Sequence, residues 1–282
     1  MKFDFFKMHG AGNDFVVLAD PDARFPLADA DLARAFCAPH SGVACEGLLV
    51  LRPAEAAGAD LRMVFFNPDG SRAAMCGNGL RCAAFAAHLA GLAAGPVLVI
   101  ETDAGLLSAE LLSADPATGR ATVRARTSPP RDRRPAVRPA GSAREFFFVD
   151  SGVPHAVAFV ADLAAVDVAA EGAAARHAPE FAPAGTNVDF ARVLGPHALA
   201  LRTYERGVEA ETAACGTGAI AAAVAAVETG RCASPVDVRV AFGDVLRVEA
   251  EPGPDGLCRD ILFTGPARLV VRGVADADWV RP

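Results

Sequence analysis

The stretch Cys76-Gly77-Asn78-Gly79 decides the fold, because a second version, Cys215-Gly216-Thr217-Gly218, follows 139 positions later. Each version opens a segment that is rich in alanine and poor in charge. Glycines beside a cysteine let another group approach the backbone closely. Self-similarity at a fixed period indicates a duplicated structural unit, so we expect the chain to fold as two related halves.

The same offset continues beyond the cysteine turns. Gly91 matches Gly230, and Pro96-Val97-Leu98-Val99 matches Pro235-Val236-Asp237-Val238. Glycine often follows the last residue of a helix, and proline cannot continue one. The sequence of each half therefore predicts a loop, an alanine-rich helix that ends at a glycine, and then two strands joined by a turn. Both helices are apolar on nearly every face, which indicates burial on all sides.

The rest of the chain favours strands, since most of its periodic segments are β-branched or aromatic. The predicted fold class is α+β, with two pseudo-symmetric domains that each wrap a β-sheet around one central apolar helix. The predicted N-terminal domain spans 1–126 plus 267–282 and carries Cys76. The predicted C-terminal domain spans 127–266 and carries Cys215.

Two segments decide where these domains join. Thr127–Arg144 is rich in proline and arginine, and such stretches cannot supply a full set of strand donors, so we expect an extended linker. The final strand, after Thr264-Gly265-Pro266, has no evident counterpart in its own half. We therefore expect it to cross back and complete the first domain.

The composition of the chain argues against nucleic-acid binding, secretion and membrane association. The 282 residues carry 27 Lys and Arg against 34 Asp and Glu, so no basic excess is present to neutralise a nucleic-acid backbone. The N-terminus lacks the apolar segment of a secretory signal, which predicts a cytoplasmic protein. The uncharged run Cys82–Ile100 nearly reaches the length of a membrane span, but Gly95-Pro96 interrupts it, so we expect no membrane association.

The sequence offers few ligands for a cofactor. Its cysteines lack CxxC spacing and its histidines lack HExxH or HxxxH spacing, so no metal is expected. Lys2 and Lys7 are the only lysines, and both lie in the first predicted strand. A Schiff-base lysine must lie deep in a fold, so pyridoxal phosphate is not expected either. We predict that the protein uses no cofactor.

Cys76 and Cys215 are the candidate catalytic residues. Each stands at the predicted start of a helix, where unpaired N–H groups and the helix dipole favour a thiolate. Related domains would direct both helix starts into the cleft between them. There one thiolate can remove a proton from one face of a carbon while a thiol returns one to the other face, which inverts a stereocentre. We expect ordinary core roles for the cysteines at 37, 45, 82, 232 and 258.

Several longer motifs carry a resemblance that covers essentially the whole chain. They are His9-Gly10-Ala11-Gly12-Asn13-Asp14-Phe15, Asn67-Pro68-Asp69-Gly70-Ser71, Met75-Cys76-Gly77-Asn78-Gly79-Leu80-Arg81-Cys82, Gly185-Thr186-Asn187, Tyr204-Glu205-Arg206-Gly207 and Thr212-Ala213-Ala214-Cys215-Gly216-Thr217-Gly218. With these motifs the chain resembles the diaminopimelate epimerase family. The resemblance implies interconversion of LL- and meso-diaminopimelate without a cofactor, in lysine and cell-wall precursor biosynthesis.

The resemblance also implies roles for individual residues. Cys76 and Cys215 would exchange the roles of acid and base. The side chains implied to grip the substrate are those of Asn13, Asn67, Asn187, Glu205 and Arg206, and the backbone groups implied to hold the reacting carboxylate are those of Gly77, Asn78, Gly216 and Thr217. Such acids, amides and a guanidinium suit an amino-acid substrate with an ammonium and a carboxylate at each end. A homodimer is the implied assembly.

The chain departs from the family pattern at a few positions. Ser41-Gly42-Val43-Ala44-Cys45-Glu46-Gly47 replaces a turn that usually reads Gly-Ile-Gly-Ala-Asp, and Val153 stands where many members carry a substrate-binding asparagine. His155 lies just beyond Val153 and has two open interpretations. It is either a base that assists the thiols or a packed structural histidine.

Four other functions fit parts of the sequence. A related amino-acid racemase, such as proline racemase, would use the same two cysteines. Gly216–Ala221 matches a dinucleotide-binding GxGxxA, but it does not follow directly on an apolar strand. A cysteine hydrolase with His155 as base leaves the duplication unexplained. A non-catalytic amino-acid-binding domain has no use for paired thiols.

Overall fold

The computed structural model describes residues 1–280, which fold into two compact units. The N-terminal unit comprises Met1–Ala125 together with the chain from Gly265 onward, and the C-terminal unit comprises Arg126–Thr264. One long strand, β17 (Cys258–Asp276), begins in the C-terminal unit and continues into the N-terminal unit. The final segment thus belongs to the N-terminal unit, where it pairs antiparallel with the first strand.

The N-terminal unit contains a mixed sheet and two main helices. In chain order its elements are β1 (Lys2–Gly10), β2 (Asn13–Ala19), α1 (Ala30–Cys37), β3 (Leu48–Arg52), β4 (Leu61–Phe66), β5 (Arg72–Ala73), α2 (Gly77–Leu89), β6 (Val97–Thr102), β7 (Gly105–Asp115), β8 (Arg120–Thr127) and, after β17, the short α5 (Ala277–Val280). Most neighbouring strands are antiparallel, while β2 with β3 and β4 with β6 are parallel.

Helix α2 lies in the core of this unit, in contact with β1, β2, β3, β4 and β7. All of its residues from Asn78 to Ala87 are buried, as expected of a helix that is apolar on nearly every face. Strand β2 is buried on both faces: Phe15 and Val17 pack in the cluster around α2, while Val16 and Leu18 pack in the cluster beneath α1. Burial on both faces explains the unbroken apolar run of this strand.

The C-terminal unit repeats this arrangement. Its elements are β9 (Arg131–Val137), β10 (Phe146–Asp150), β11 (Pro154–Phe159), α3 (Val168–Arg176), a 3₁₀ turn (Pro179–Phe181), β12 (Asn187–Gly195), β13 (Ala198–Glu205), β14 (Ala210–Thr212), α4 (Gly216–Glu228), β15 (Val236–Arg239), β16 (Val245–Pro252) and the first part of β17. Helix α4 is the counterpart of α2. It contacts the five strands β10, β11, β12, β13 and β16 and the shorter β15.

The strand pairings of the two units match element by element. In the N-terminal unit β2 runs parallel to β3 and β4 parallel to β6; in the C-terminal unit β11 runs parallel to β12 and β13 parallel to β15. The duplicated pattern and the α+β class predicted from sequence are confirmed, with one apolar helix at the core of each half.

The prediction of an extended linker over Thr127–Arg144 is wrong. Residues Arg131–Val137 form β9, which pairs antiparallel with β10 much as the end of β17 pairs with β1. Strand β9 therefore supplies the counterpart of the final strand that the sequence analysis did not find. Proline removes ladder donors, and the pairing tolerates Pro135 because its register shifts at two points along β10. Arg134 adds a contact, with its guanidinium 3.8 Å from the ring centre of Phe148.

Two helices of eight or more residues, α1 and α3, were not predicted. Each has an aspartate N-cap: Asp29 accepts a hydrogen bond from the Leu32 N–H at 2.8 Å, and Asp167 accepts one from the Ala170 N–H at 3.0 Å. These caps were the available sequence signal. The helices occupy matching places, since α1 lies between β2 and β3 in the chain and α3 between β11 and β12.

Candidate active site

In the N-terminal unit, Cys76 is the N-cap residue of α2. Its backbone is extended, and its Sγ accepts a hydrogen bond from the Gly79 N–H at 3.5 Å. The side chain is half-buried. The first turn of α2 thus directs N–H groups and the positive end of the helix dipole at this sulfur, as the sequence analysis expects.

Asn13 and Asn78 adjoin the Cys76 sulfur. The Asn13 Oδ1 accepts a hydrogen bond from Asn78 Nδ2 at 3.3 Å and lies 3.7 Å from Cys76 Sγ. The Asn13 Nδ2 donates to Glu46 at 2.6 Å, which fixes the orientation of this amide. The structure therefore brings Cys76, Asn13 and Asn78 together, and it adds Glu46, a residue to which no role was assigned from sequence.

Arg81 supports this group from inside the helix. Its side chain is fully buried, and its NH2 group donates to Asn78 Oδ1 at 2.7 Å, while its other nitrogens donate to the carbonyls of Gly77 and Pro266. A buried guanidinium is stable only when its donors are satisfied. The sequence signal was an arginine within an otherwise apolar helix, and it was overlooked.

Asn67 lies in the turn between β4 and β5. Its Nδ2 donates to the Ser71 hydroxyl at 3.0 Å, and its backbone N–H donates to the Ser71 carbonyl at 2.8 Å. Asp69 accepts from both the N–H and the hydroxyl of Ser71, which lowers the pKa of the Asp69 carboxyl. The turn role of Asn67 is thus present in the structure, and its role in substrate binding stays a prediction.

A second pair of thiols lies close to the Asn13 group. The Sγ atoms of Cys37 and Cys45 are 3.4 Å apart, and Lys7 contacts both Asp14 and the Ala44 carbonyl beside them. The hydrogen bond with the Cys37 sulfur, two backbone N–H groups and the Lys7 ammonium lower the pKa of Cys45. The same sulfur contact and burial raise the pKa of Cys37.

We expect iodoacetamide at neutral pH to label Cys45 before Cys37, because Cys45 is half-buried beside the Lys7 ammonium, which favours a thiolate, whereas Cys37 is buried. Mass spectrometry of the peptides after brief exposure measures the order. Cys82 is the internal reference, since burial raises its pKa to about 12. Lys7→Met should slow the labelling of Cys45. Labelling of Cys37 first, or of both at one rate, would contradict the prediction.

In the C-terminal unit, Cys215 is the N-cap residue of α4, and its Sγ lies 3.4 Å from the Thr217 hydroxyl. The cysteine is buried, with 7% of its surface exposed. Burial, followed by the charges of Glu205 and Asp189, raises the pKa of Cys215 well above its ordinary value. The Thr217 hydroxyl and the Gly218 N–H act in the opposite direction without overcoming it. In this environment Cys215 keeps its proton at neutral pH.

His155 lies beside Cys215 but does not contact its sulfur directly. Its Nδ1 lies 2.6 Å from Asp189 Oδ2, and its Nε2 lies 2.9 Å from the Thr217 hydroxyl, which in turn adjoins Cys215. His155 and Asp189 are both fully buried. Sequence reasoning identified His155 and missed Asp189, because a single aspartate in a strand gives no sign of which side chain it meets.

Asn187, Glu205 and Arg206 lie together at the ends of β12 and β13. Asn187 accepts from the backbone N–H of Arg206 at 2.8 Å and donates to the Pro154 carbonyl at 2.9 Å. Glu205 accepts from the Thr212 hydroxyl at 2.9 Å. The structure thus connects all three residues to the segment around His155 and to the strand before Cys215, while their roles in substrate binding stay predictions.

Two other kinds of site are absent from residues 1–280. No group of three or more His, Cys, Asp and Glu side chains among them is arranged to hold a metal ion. No helix within that range combines the length and the apolar character that a membrane crossing requires.

Comparison with known sequences identifies relatives of nearly equal length. The family model described as Diaminopimelate epimerase matches residues 5–125 and 147–270. Diaminopimelate epimerase of Chlorobaculum tepidum is 41% identical over 268 residues, covering 94% of this chain and 98% of the relative. That of Desulforudis audaxviator is 43% identical over 295 residues, covering 99% of each. O-ureido-serine racemase of Streptomyces lavendulae is 38% identical over 284 residues, covering 95% of this chain and 94% of the relative.

Solved structures share the fold at low identity. A phenazine biosynthesis protein of the PhzF family from Bacillus anthracis superposes with a TM-score of 0.74 at 15% identity, over 98% of this chain and 99% of the other. A probable proline racemase from Agrobacterium radiobacter superposes with a TM-score of 0.71 at 18% identity, over 97% and 92% of the two chains. These likenesses establish the fold class alone.

Proposed function

Since this chain belongs to the diaminopimelate epimerase family and is accordingly an amino-acid epimerase, we propose that it interconverts LL- and meso-diaminopimelate with Cys76 and Cys215 as the acid and base. The proposal requires no metal, flavin or pyridoxal phosphate. It places the enzyme in lysine and cell-wall precursor biosynthesis. The implied homodimer stays a prediction.

The proposed mechanism rests on one observation: the two cysteines hold matching positions in their units but have different surroundings. Both cysteines are N-cap residues of the buried helix in their own unit. Burial and the charges of Glu205 and Asp189 raise the pKa of Cys215, so it keeps its proton, whereas Cys76 is half-buried and is the proposed thiolate. A two-base epimerase needs one thiolate and one thiol when substrate arrives. Cys215 supplies the acid in that state, and Cys76 supplies the base.

The reaction then runs in two proton transfers. The Cys76 thiolate takes the α-proton of one stereoisomer, and Cys215 gives its proton to the opposite face of the carbon. Negative charge builds up on the carboxylate next to the carbanion between these steps. Backbone N–H groups of Gly77, Asn78, Gly216 and Thr217 at the two helix starts are the proposed donors to that carboxylate. Afterwards Cys76 holds a proton and Cys215 does not, so the other isomer reacts in reverse.

The distal end of diaminopimelate carries an ammonium and a carboxylate. Glu205 is the proposed partner of the ammonium and Arg206 that of the carboxylate, with Asn13, Asn67 and Asn187 as amide partners. Glu205 and Asn187 are already held by hydrogen bonds to Thr212 and to the Arg206 backbone. Side chains positioned before binding lose less entropy when substrate arrives.

We expect the purified, reduced and chelator-treated protein to convert LL-diaminopimelate into the meso form in heavy water, with deuterium entering at the α-carbon. Each inversion by two different bases returns a solvent-derived proton, so label and inversion should appear together. Proton NMR measures loss of the α-proton signal, and chiral chromatography measures the meso product. Failure of both with folded protein would refute the proposal.

O-ureidoserine is the second candidate substrate, because a racemase named for it is 38% identical to this chain. Its distal end is a neutral ureido group, which needs amide partners rather than an acid and a guanidinium. The same heavy-water assay with O-ureido-L-serine separates the two: a higher kcat/KM than for diaminopimelate would assign the chain to that substrate. A cysteine hydrolase is less favoured, since His155 Nε2 faces the Thr217 hydroxyl rather than a sulfur.

A further inference from the structure

Asp189 is a fully buried carboxylate in the middle of an apolar strand. Its neighbours in β12, Val188 and Phe190, are also fully buried. Burying a carboxylate costs several kcal/mol unless hydrogen bonds and a counter-charge compensate, so an apolar side chain would fill this space at a lower cost. Both oxygens have partners: Oδ1 accepts from the Thr203 hydroxyl at 2.7 Å, and Oδ2 lies 2.6 Å from His155 Nδ1.

These contacts determine the tautomer of His155. An ionised carboxylate only accepts hydrogen bonds, so Nδ1 carries a proton, and in the neutral ring Nε2 then presents its lone pair. The groups near Nε2 agree with this, because both can donate: the Thr217 hydroxyl at 2.9 Å and Asn187 Nδ2 at 3.5 Å. With its proton directed at Nε2, the Thr217 oxygen is left to accept from the Cys215 thiol, 3.4 Å away.

We propose that Asp189 is a positioning residue that holds His155 in the tautomer able to receive a proton from Cys215 through the Thr217 hydroxyl. The inference rests on the proposed function, since it explains how Cys215 becomes a base for the reverse reaction. The proton of the Cys215 thiol passes to the Thr217 oxygen as the hydroxyl proton of Thr217 passes to His155 Nε2. The products are a thiolate, an unchanged hydroxyl and an imidazolium, and no electrons are exchanged.

The charges around Cys215 explain why its proton needs this hydrogen-bonded path through Thr217 to His155. Glu205 on β13 and Asp189 on β12 both oppose a thiolate at this position, and burial opposes it further. An imidazolium at His155 would offset the Asp189 carboxylate and place a positive charge one hydroxyl away from the sulfur. Gly218 leaves space for the Asp189 carboxylate, because a Cβ at this position would lie 2.5 Å from Asp189 Oδ1.

The substitution Asp189→Asn tests the proposal. An amide can present its NH₂ to Nδ1 and so favour the opposite tautomer, as happens when the aspartate of a serine-protease triad is replaced by asparagine. We expect kcat to fall at least about tenfold with KM within about twofold of wild type. Asp237→Asn is the matched control, since Asp237 is a half-buried aspartate on β15 paired with Arg247, and its kcat should not change.

Alkylation of Cys215 separates positioning from a purely electrostatic effect, and it needs no substrate. If Asp189 acts only as a nearby negative charge, its removal makes the thiolate easier to form, and iodoacetamide labels Cys215 faster in Asp189→Asn. If Asp189 positions His155, the variant loses the proton acceptor and labels more slowly. Faster labelling would overturn the proposal, whichever amino acid proves to be the substrate.

A measurement on the wild-type protein covers the case in which Asp189→Asn does not fold. Long-range proton–nitrogen NMR correlation of the imidazole distinguishes the two tautomers of His155. The proposal expects the proton of the neutral ring on Nδ1. A neutral ring protonated on Nε2 would overturn it. Because this spectrum is recorded without substrate, it does not depend on whether the protein epimerises diaminopimelate.

Discussion

Replacing either Cys76 or Cys215 by alanine is expected to lower the rate of epimerisation by about a thousandfold while the fold is retained. General acid or base catalysis by a positioned side chain contributes about 10²- to 10⁴-fold, and inversion needs both groups. Each substitution removes one sulfur at a helix N-cap, and losing a cap costs only about 1 kcal/mol, so the fold should be retained. The rate of meso product formation measures the loss.

The two variants should differ in hydrogen exchange, which identifies the face that each sulfur serves. The remaining sulfur can remove the α-proton of one stereoisomer and return a solvent deuteron to the same face. We therefore expect one variant to label only the LL isomer and the other only the meso isomer. In Cys76→Ala the remaining base is Cys215, whose raised pKa makes its thiolate scarce at neutral pH, so exchange should increase as pH rises through the alkaline range.

Cys232→Ala is the matched control for this pair. Cys232 follows α4, outside the two cysteine turns, and its Sγ contacts the Gly195 carbonyl at 3.6 Å. Its substitution should leave epimerisation and exchange unchanged. Exchange of the same isomer by both active-site variants would contradict the two-base mechanism, as would full epimerisation by either one.

The second large effect is expected from Gly218→Ala, in the first turn of α4. The new methyl group would lie 2.5 Å from Asp189 Oδ1 and 3.2 Å from the Thr203 hydroxyl oxygen. Asp189 cannot turn away cheaply, because its other oxygen is held by His155. Overpacking of this kind costs about 1–3 kcal/mol, so the free energy of unfolding should fall by roughly that amount. Urea titration measures the shift of the midpoint.

The repeat supplies a matched control at the corresponding position of α2, Gly79→Ala. There the new methyl group would lie 3.4 Å from Cys76 Cβ and from Leu49 Cδ2, which is ordinary van der Waals contact. Alanine also favours the helix by up to about 1 kcal/mol relative to glycine. The free energy of unfolding should therefore stay near the wild-type value or rise slightly. Equal losses in the two variants would show that the clash with Asp189 is not the cause.

Local sequence pattern was enough to predict the two central helices and their cysteine N-caps. Helix starts and ends depend on neighbouring residues, and the glycines after Leu89 and Glu228 act within a few positions of the chain. The fixed offset then related the halves without any structural information. The resemblance also drew attention to His155, through the stretch Gly152-Val153-Pro154-His155, and left a base and a structural histidine as the two interpretations.

Pairing between distant segments was decided only by the tertiary structure. Strand β9 has three prolines in or just before it, and it forms because β10 offers a partner whose register can shift around Pro135. The hydrogen bonds that link Asp189, His155 and Thr217 likewise join His155 to residues 34 and 62 positions away in the sequence. The three residues come from two parallel strands and a helix start. No local pattern encodes such contacts, because they depend on which strands become neighbours.

The different surroundings of Cys76 and Cys215 show most clearly what local sequence can predict and what depends on the tertiary structure. In the sequence both are cysteines before a Gly-x-Gly turn at a helix start, and local chemistry assigns them the same weak preference for a thiolate. In the folded chain Cys215 is buried beside the carboxylates of Asp189 and Glu205, and the cost of desolvating a charge there exceeds what the helix dipole returns. The sequence alone thus predicted which two residues carry the chemistry, whereas the burial and the neighbouring carboxylates that raise the pKa of Cys215 come from the surrounding fold.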